Sequence, residues 1–223
     1  KHYEKGVPRL DMCKPDENGS PYFLWPVGGR SINYRWETPD GESYRYLQLV
    51  INPVAWLLGL TGVILGGTIV LASVFFPIRQ KLNNYPQILV FFVLWVAYMI
   101  AVARIDRVMY LYHYFIPLVF SFILFGLVFM ELRQIGKWKL DDKRKASILL
   151  ALGALVFVSF QIYRPFTYYN LLTDEEVQSR AVYPLWELHC ATCSRNSTLV
   201  NPRSRNFGGS PKTVVMREPR MIR

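Results

Sequence analysis

The chain has 223 residues, 52% of them hydrophobic and 19% charged, with a net charge of +10. The charged share lies below the roughly 25% of an average soluble domain, and the apolar residues gather in four blocks, with the charges between them. That distribution argues against a soluble protein built around one core. It also turns the positive charge from a nucleic-acid signal into one of topology and lipid headgroups, because no basic stretch is interleaved with aromatics as a nucleic-acid-binding module would require.

In chain order, residues 1–49 are polar, rich in Pro and Gly, and punctuated by Tyr22, Phe23, Trp25, Tyr34, Trp36, Tyr44 and Tyr46. They read as an extramembrane loop with short strands or turns, and Pro39-Asp40-Gly41 is a turn signal. The chain opens on Lys1, and no signal-peptide pattern follows, so the simplest expectation is a piece of a longer polypeptide. A four-helix membrane domain is expected over 50–170. Its first span is predicted over 54–76, where Gly62 and Gly66 form a GxxxG pattern that allows close helix approach; packing within the bundle is preferred over a dimer motif. The other spans are predicted over 85–103, 110–130 and 146–163. Each is near the ~20 residues that cross ~30 Å of hydrocarbon, and a span that satisfies its own backbone there is a helix. Trp56, Phe75, Phe76, Tyr85, Tyr110, Tyr112 and Tyr163 stand at block ends, as interfacial aromatics do.

Arg79 and Lys81 lie between the first two spans. Arg133, Lys137, Lys139, Lys143, Arg144 and Lys145 lie between the last two. Basic loops favour the cytoplasm, which leaves both termini on the far side. Asn18 and Asn196 begin glycosylation triplets that fall on that far side, although such triplets also occur by chance. Residues 171–223 form a second extramembrane segment, and from about 190 onward the composition predicts disorder. Cys190 and Cys193 make a lone CxxC and Cys13 is a third cysteine. The pair reads as ordinary tail cysteines or one local disulfide, with no metal or cofactor expected.

Three groups of residues could carry chemistry. The first is the stretch 104–117, in which Arg104, Asp106, Arg107, Tyr110, Tyr112, His113 and Tyr114 crowd the non-cytoplasmic end of the third span. Arginine grips phosphate in a fork and histidine exchanges a proton near neutral pH, so this end is suited to a lipid-linked phosphate. An interfacial anchor of Arg and Tyr explains the same residues, and both readings stand at this point. The second group is Trp25 through Arg30 to Tyr34, where aromatics beside an arginine suit either sugar stacking or loop packing. The third is Arg164-Pro-Phe-Thr-Tyr168, placed just after the fourth span as a surface turn or a site wall.

Taken in order, these groups resemble the C-terminal four-helix region of protein O-mannosyltransferases. The resemblance covers about residues 20–170. It rests on Phe23-Leu-Trp25-Pro26 leading to Arg30 and Tyr34; on Asn52-Pro53-Val54-Ala-Trp56, with Ile51 where the family usually has Gly; on Arg107 followed by Tyr112-His113-Tyr114 and Pro117; and on Pro165-Phe-Thr-Tyr168. It implies an all-α integral membrane fold of C-type glycosyltransferase architecture, with the site on the lumenal or periplasmic side. It further implies transfer of mannose from a polyprenol- or dolichyl-phosphate-mannose donor to Ser or Thr hydroxyls of a protein acceptor, in the endoplasmic reticulum membrane of a eukaryote or the plasma membrane of a bacterium. Membrane lipid and a homo- or heterodimeric partner are the other expected contacts. The resemblance makes Arg107 the first candidate for the donor phosphate, with His113, Tyr112 and Tyr114 supporting it and Arg30 added from the first loop. The family's proton-accepting Asp-Glu pair belongs to a loop in the N-terminal half, so the general base is expected outside this chain. Asp16-Glu17 sits in a linker-like context and is not assigned that role. A related lipid-phosphate-sugar transferase and a non-catalytic membrane partner or assembly subunit are the alternative readings.

Overall fold

A computed structural model describes residues 10, 19–76, 82–186 and 188. Cys13, Asp16, Glu17, Asn18, Cys190, Cys193, Asn196 and the tail read as disordered lie outside the described residues.

Four helices are long and apolar enough to cross a membrane: α1 (Pro53–Phe75), α2 (Tyr85–Ala103), α3 (Phe115–Glu131, extended to Leu111 by a 3₁₀ turn) and α4 (Asp142–Thr167). The chain is an integral membrane protein. Helix α1 starts where it does because Pro53 occupies the first helical position, where a missing N–H costs nothing. Beside it, the Asn52 side chain accepts from the Ala55 N–H at 3.1 Å, a cap that contributes about 1 kcal/mol. The same amide donates to the Val156 carbonyl at 2.9 Å and so ties the start of α1 to α4.

The α1–α3 contact explains the glycines of the first span. A Cβ on Gly62 would lie 2.5 Å from both the Phe125 N and the Ser121 O, and one on Gly59 would lie 2.5 Å from the Ser121 Oγ. Gly67 instead faces α2, where a Cβ would meet the Phe92 ring at 2.8 Å. The GxxxG pattern therefore works inside the chain. In hydrocarbon, where burial of apolar surface gives no drive, such close backbone contact is a main source of helix association.

Charges sit where they satisfy helix ends. The Glu131 carboxylate accepts from the Asn84 N–H at 2.7 Å, a favourable place for a negative charge at the start of α2. Lys145 Nζ donates to the Met130 carbonyl at the end of α3, one of the acceptors a helix terminus leaves unpaired. These contacts place the α1–α2 and α3–α4 connections at one end of the bundle. The α3–α4 connection carries a two-residue hairpin, β3 (Gln134–Ile135) with β4 (Trp138–Lys139), turned at Gly136.

The other end carries a small sheet, so the fold is mostly helical with a sheet layer added. Strands β1 (Ile32–Glu37), β2 (Ser43–Leu49) and β5 (Leu171–Thr173) pair antiparallel in the order β1-β2-β5. The two-residue side-chain period of a strand buries Tyr44, Tyr46 and Gln48 of β2 on one face, where Tyr46 packs against Phe166 of α4. The β1–β2 turn is held by Asp40, whose carboxylate accepts from the Ser43 hydroxyl, the Ser43 N–H and the Glu42 N–H at 2.6, 2.8 and 3.0 Å. These bonds lower its pKa from 3.8 to about 2, and Gly41 supplies the left-handed φ of +80°.

Arg164-Pro-Phe-Thr-Tyr168 does not follow the fourth helix, as the sequence led us to expect; α4 runs through it to Thr167. Pro165 falls in the last turn, where it removes one backbone bond without breaking the helix. Nearby, Arg180 at the end of α5 (Asp174–Arg180) donates through Nε to the Ile162 carbonyl at 3.0 Å.

Candidate functional site

The N-terminal end of α3, on the side of the sheet, is shaped by one residue. Pro117 has no N–H, so it cannot supply the i-to-i−4 donor to the carbonyl four residues back, that of His113. The chain enters α3 through a 3₁₀ turn (Leu111–Tyr114) instead. The Tyr98 hydroxyl of α2 donates to the His113 carbonyl at 2.8 Å. One helical turn earlier, Trp95 Nε1 donates to the Tyr114 hydroxyl at 3.3 Å. Two polar side chains of α2 thus hold two consecutive residues of the turn.

This turn sets the His113 ring in a stack. The Tyr112 ring lies 4.3 Å away at 25°, and the Trp25 ring 6.1 Å away at 11°. Tyr110 lies 5.6 Å from Tyr112 and nearly parallel to it. Such ring pairs contribute about 0.5–1.5 kcal/mol each beyond their buried area. His113 Nδ1 sits 3.2 Å from the Tyr110 N and 3.0 Å from the Tyr110 O, so it is committed locally in any protonation state: it accepts from the N–H when bare and donates to the carbonyl when protonated. Nε2 has no hydrogen-bond partner among the described residues.

Trp25, fully buried, joins this stack to the first loop. Its Nε1 donates to Ser20 Oγ at 2.6 Å, and its carbonyl accepts from Trp56 Nε1 at 2.8 Å. The turn beyond it requires Gly28, which has φ +71° and whose Cβ would strike the Ile51 side chain at 2.3 Å.

A cleft of about 320 Å³ opens beside this loop, lined by Ser20, Tyr22, Met109 and, from the loop after α2, Asp106 and Arg107 among others. Ser20 donates its N–H to the Met109 carbonyl at 2.8 Å, which fixes the first loop against the 104–109 segment. Arg107 is exposed and forms no ion pair among the described residues. The cleft lining therefore brings the Arg107 guanidinium and the Asp106 carboxylate together with the apolar Val102, Ala103 and Ile105; the cation and the apolar side chains suit a lipid-linked anion, and the carboxylate opposes it.

The other candidate residues are spread differently. Tyr112 is exposed on the stack, and its phenol lies close enough to Tyr34 of β1 that, after burial, it adds to the rise of the Tyr34 pKa above 10.0. Tyr34 thus stays a neutral hydroxyl at physiological pH. Tyr114 is 1% exposed and packs against Trp25 and Trp56; it supports the stack from behind and presents no open surface to a ligand. Arg30 is buried and does not line the cleft. Its backbone takes a left-handed φ of +63°, a strain of order 1–3 kcal/mol for a residue with a side chain, which is opposed by N–H bonds from Arg30 to Leu185 and from Ser31 to Trp186, each 2.7 Å. Sequence reasoning missed Trp95 and Tyr98. The signal was present as two polar-tipped aromatics three residues apart, hence on one face of an otherwise apolar helix.

A sequence model described as the C-terminal four TMM region of protein-O-mannosyltransferase matches residues 8–201. No curated protein matches the chain. Among solved structures, the S. cerevisiae protein O-mannosyltransferase Pmt1-Pmt2 complex bound to the sugar donor is similar, with a TM-score of 0.56 and 19% identity. The match covers 79% of this chain and 24% of that chain, so the present chain spans about a quarter of that relative. At this identity the likeness concerns the fold, while the family match extends over most of the chain: this protein belongs to the protein O-mannosyltransferase family and comprises its C-terminal four-helix membrane region.

Proposed function

We propose that this chain forms the donor-side membrane portion of a glycosyltransferase that moves mannose from a polyprenol-phosphate-mannose to Ser or Thr hydroxyls of proteins. The general base that takes the hydroxyl proton would come from elsewhere in the polypeptide. One observation carries the reading: Arg107, without an ion pair among the described residues, and His113, with Nε2 uncommitted, stand on two segments joined through Ser20 and Trp25 at one end of the bundle. An arginine fork and an imidazole N–H are the groups that hold a phosphate as negative charge develops on it during loss of the sugar. The apolar Val102, Ala103 and Ile105 that line the cleft with Arg107 suit the first units of an isoprenoid chain. Basic connections at the opposite end favour placing this site on the lumenal or periplasmic side, with both termini there too. A homo- or heterodimer is compatible with the relative, which was solved as a Pmt1-Pmt2 complex.

The test uses the full-length polypeptide in detergent with a Ser/Thr-rich peptide and labelled donors. Mannose is expected to move from dolichyl-phosphate-mannose to the peptide hydroxyls, with the glucosyl analogue at least tenfold slower. Equal use of both sugars would leave a lipid-phosphate-sugar transferase of another specificity. Consumption of neither would leave a non-catalytic membrane partner.

A further inference from the structure

We infer that Tyr98 is a positioning residue for His113. Its hydroxyl donates to the carbonyl that Pro117, lacking an N–H, cannot bond, and thereby holds the turn in the form that turns the His113 Nε2 edge toward an anionic headgroup. The inference rests on the reading of His113 as a donor contact.

The observations are local and independent of the family match. Pro117 cannot donate to the His113 carbonyl, and a part-buried carbonyl left unpaired is costly. Of the side chains on α2, Tyr98 meets that carbonyl at 2.8 Å. Phenylalanine would fill nearly the same volume, so the hydroxyl is what distinguishes Tyr98 from ordinary packing. The His113 ring is stacked with the Tyr112 and Trp25 rings and has Nδ1 tied to Tyr110. Its Nε2 direction is therefore set by the backbone of the turn, and the Tyr98 bond acts on that backbone. A shift of the carbonyl by a few tenths of an ångström moves the ring with it.

The experiment measures the donor KM of the full-length polypeptide with dolichyl-phosphate-mannose for Tyr98→Phe, His113→Ala, the double variant, and Tyr85→Phe. The last removes a hydroxyl from the opposite end of the same helix, where it meets Ser73. Tyr98→Phe is expected to raise the donor KM about tenfold and leave the acceptor-peptide KM unchanged. The double variant should be no worse than His113→Ala, because Tyr98 acts through His113; Tyr85→Phe should match the wild type. Multiplying effects in the double variant, or a wild-type donor KM for Tyr98→Phe, would overturn the positioning role and leave the donor reading intact. A wild-type donor KM for His113→Ala would instead overturn the donor reading, and this inference with it. If Tyr98→Phe alone is not recovered folded, the same comparison is made on a Pro117→Ala background, where residue 117 supplies an N–H for the His113 carbonyl. There the Tyr98 hydroxyl should be dispensable, and an undiminished tenfold effect would contradict the mechanism.

Discussion

On the proposed function, replacing Arg107 with alanine in the full-length polypeptide is expected to lower mannosyl transfer roughly ten- to a hundredfold, while the protein inserts and folds as before. The magnitude follows from the loss of charge-assisted hydrogen bonds to a phosphate, at about 1.5–3 kcal/mol, with each 1.4 kcal/mol equal to a factor of ten. Folding should be spared because Arg107 is exposed and forms no ion pair among the described residues, and exposed positions of that kind contribute little to stability. Arg107→Lys keeps the charge and loses the fork, so an intermediate rate is expected. Transfer assays on variants matched for membrane insertion by protease protection check both points. Near-normal transfer by Arg107→Ala would remove the residue from the site.

The largest structural effect is expected at Gly62. A Gly62→Val side chain cannot be absorbed by a rotamer change, because the atoms it meets are backbone: the Phe125 N and Cα and the Ser121 O. Helix α3 would have to move away from α1, and overpacking of this kind costs 1–3 kcal/mol or more. Since α3 begins in the turn that carries His113, the separation should dismantle the site as well as loosen the bundle. Thermal unfolding of the detergent-solubilised protein should show a fall of several degrees together with loss of transfer. Gly153→Ala is the control. A Cβ there meets nothing within 4 Å, and alanine is the better helix former by about 1 kcal/mol, so stability should hold or rise. Equal stability of Gly62→Val and wild type would refute the close α1–α3 contact.

The spans were readable because hydrocarbon leaves few choices: about 20 apolar residues must form a helix. The role of Gly62 and Gly66 inside the bundle was readable for a related reason, since small residues mark close helix contact. The course of α4 was not, because Pro165 and Arg164 look like a boundary in sequence, and only their distance from the end shows that one lost bond is tolerated. The candidate site was half readable. His113 and Tyr112 lie on one turn and stack by local geometry, whereas Arg107, on the approach to that turn, lines a cleft that neither of them lines. That Trp25 would stack on His113, and that Tyr98 would meet its carbonyl, depends on long-range contacts that no local pattern encodes. Tyr114 and Arg30 show the limit most clearly. Both have the chemistry of a binding residue, yet Tyr114 faces the core between Trp25 and Trp56, and Arg30 is buried in a strained turn pinned to residues 185 and 186.

On the proposed function, an anionic, lipid-linked headgroup is held at the N-terminal end of α3 and the loop before it. The most direct measurement is photo-crosslinking of the full-length polypeptide with a dolichyl-phosphate-mannose analogue that carries a diazirine on the first isoprene unit, followed by peptide mapping. Label is expected within residues 98–117, competed away by unlabelled donor and diminished by Arg107→Ala. Saturable label confined to other segments, with residues 98–117 unmodified, would contradict it.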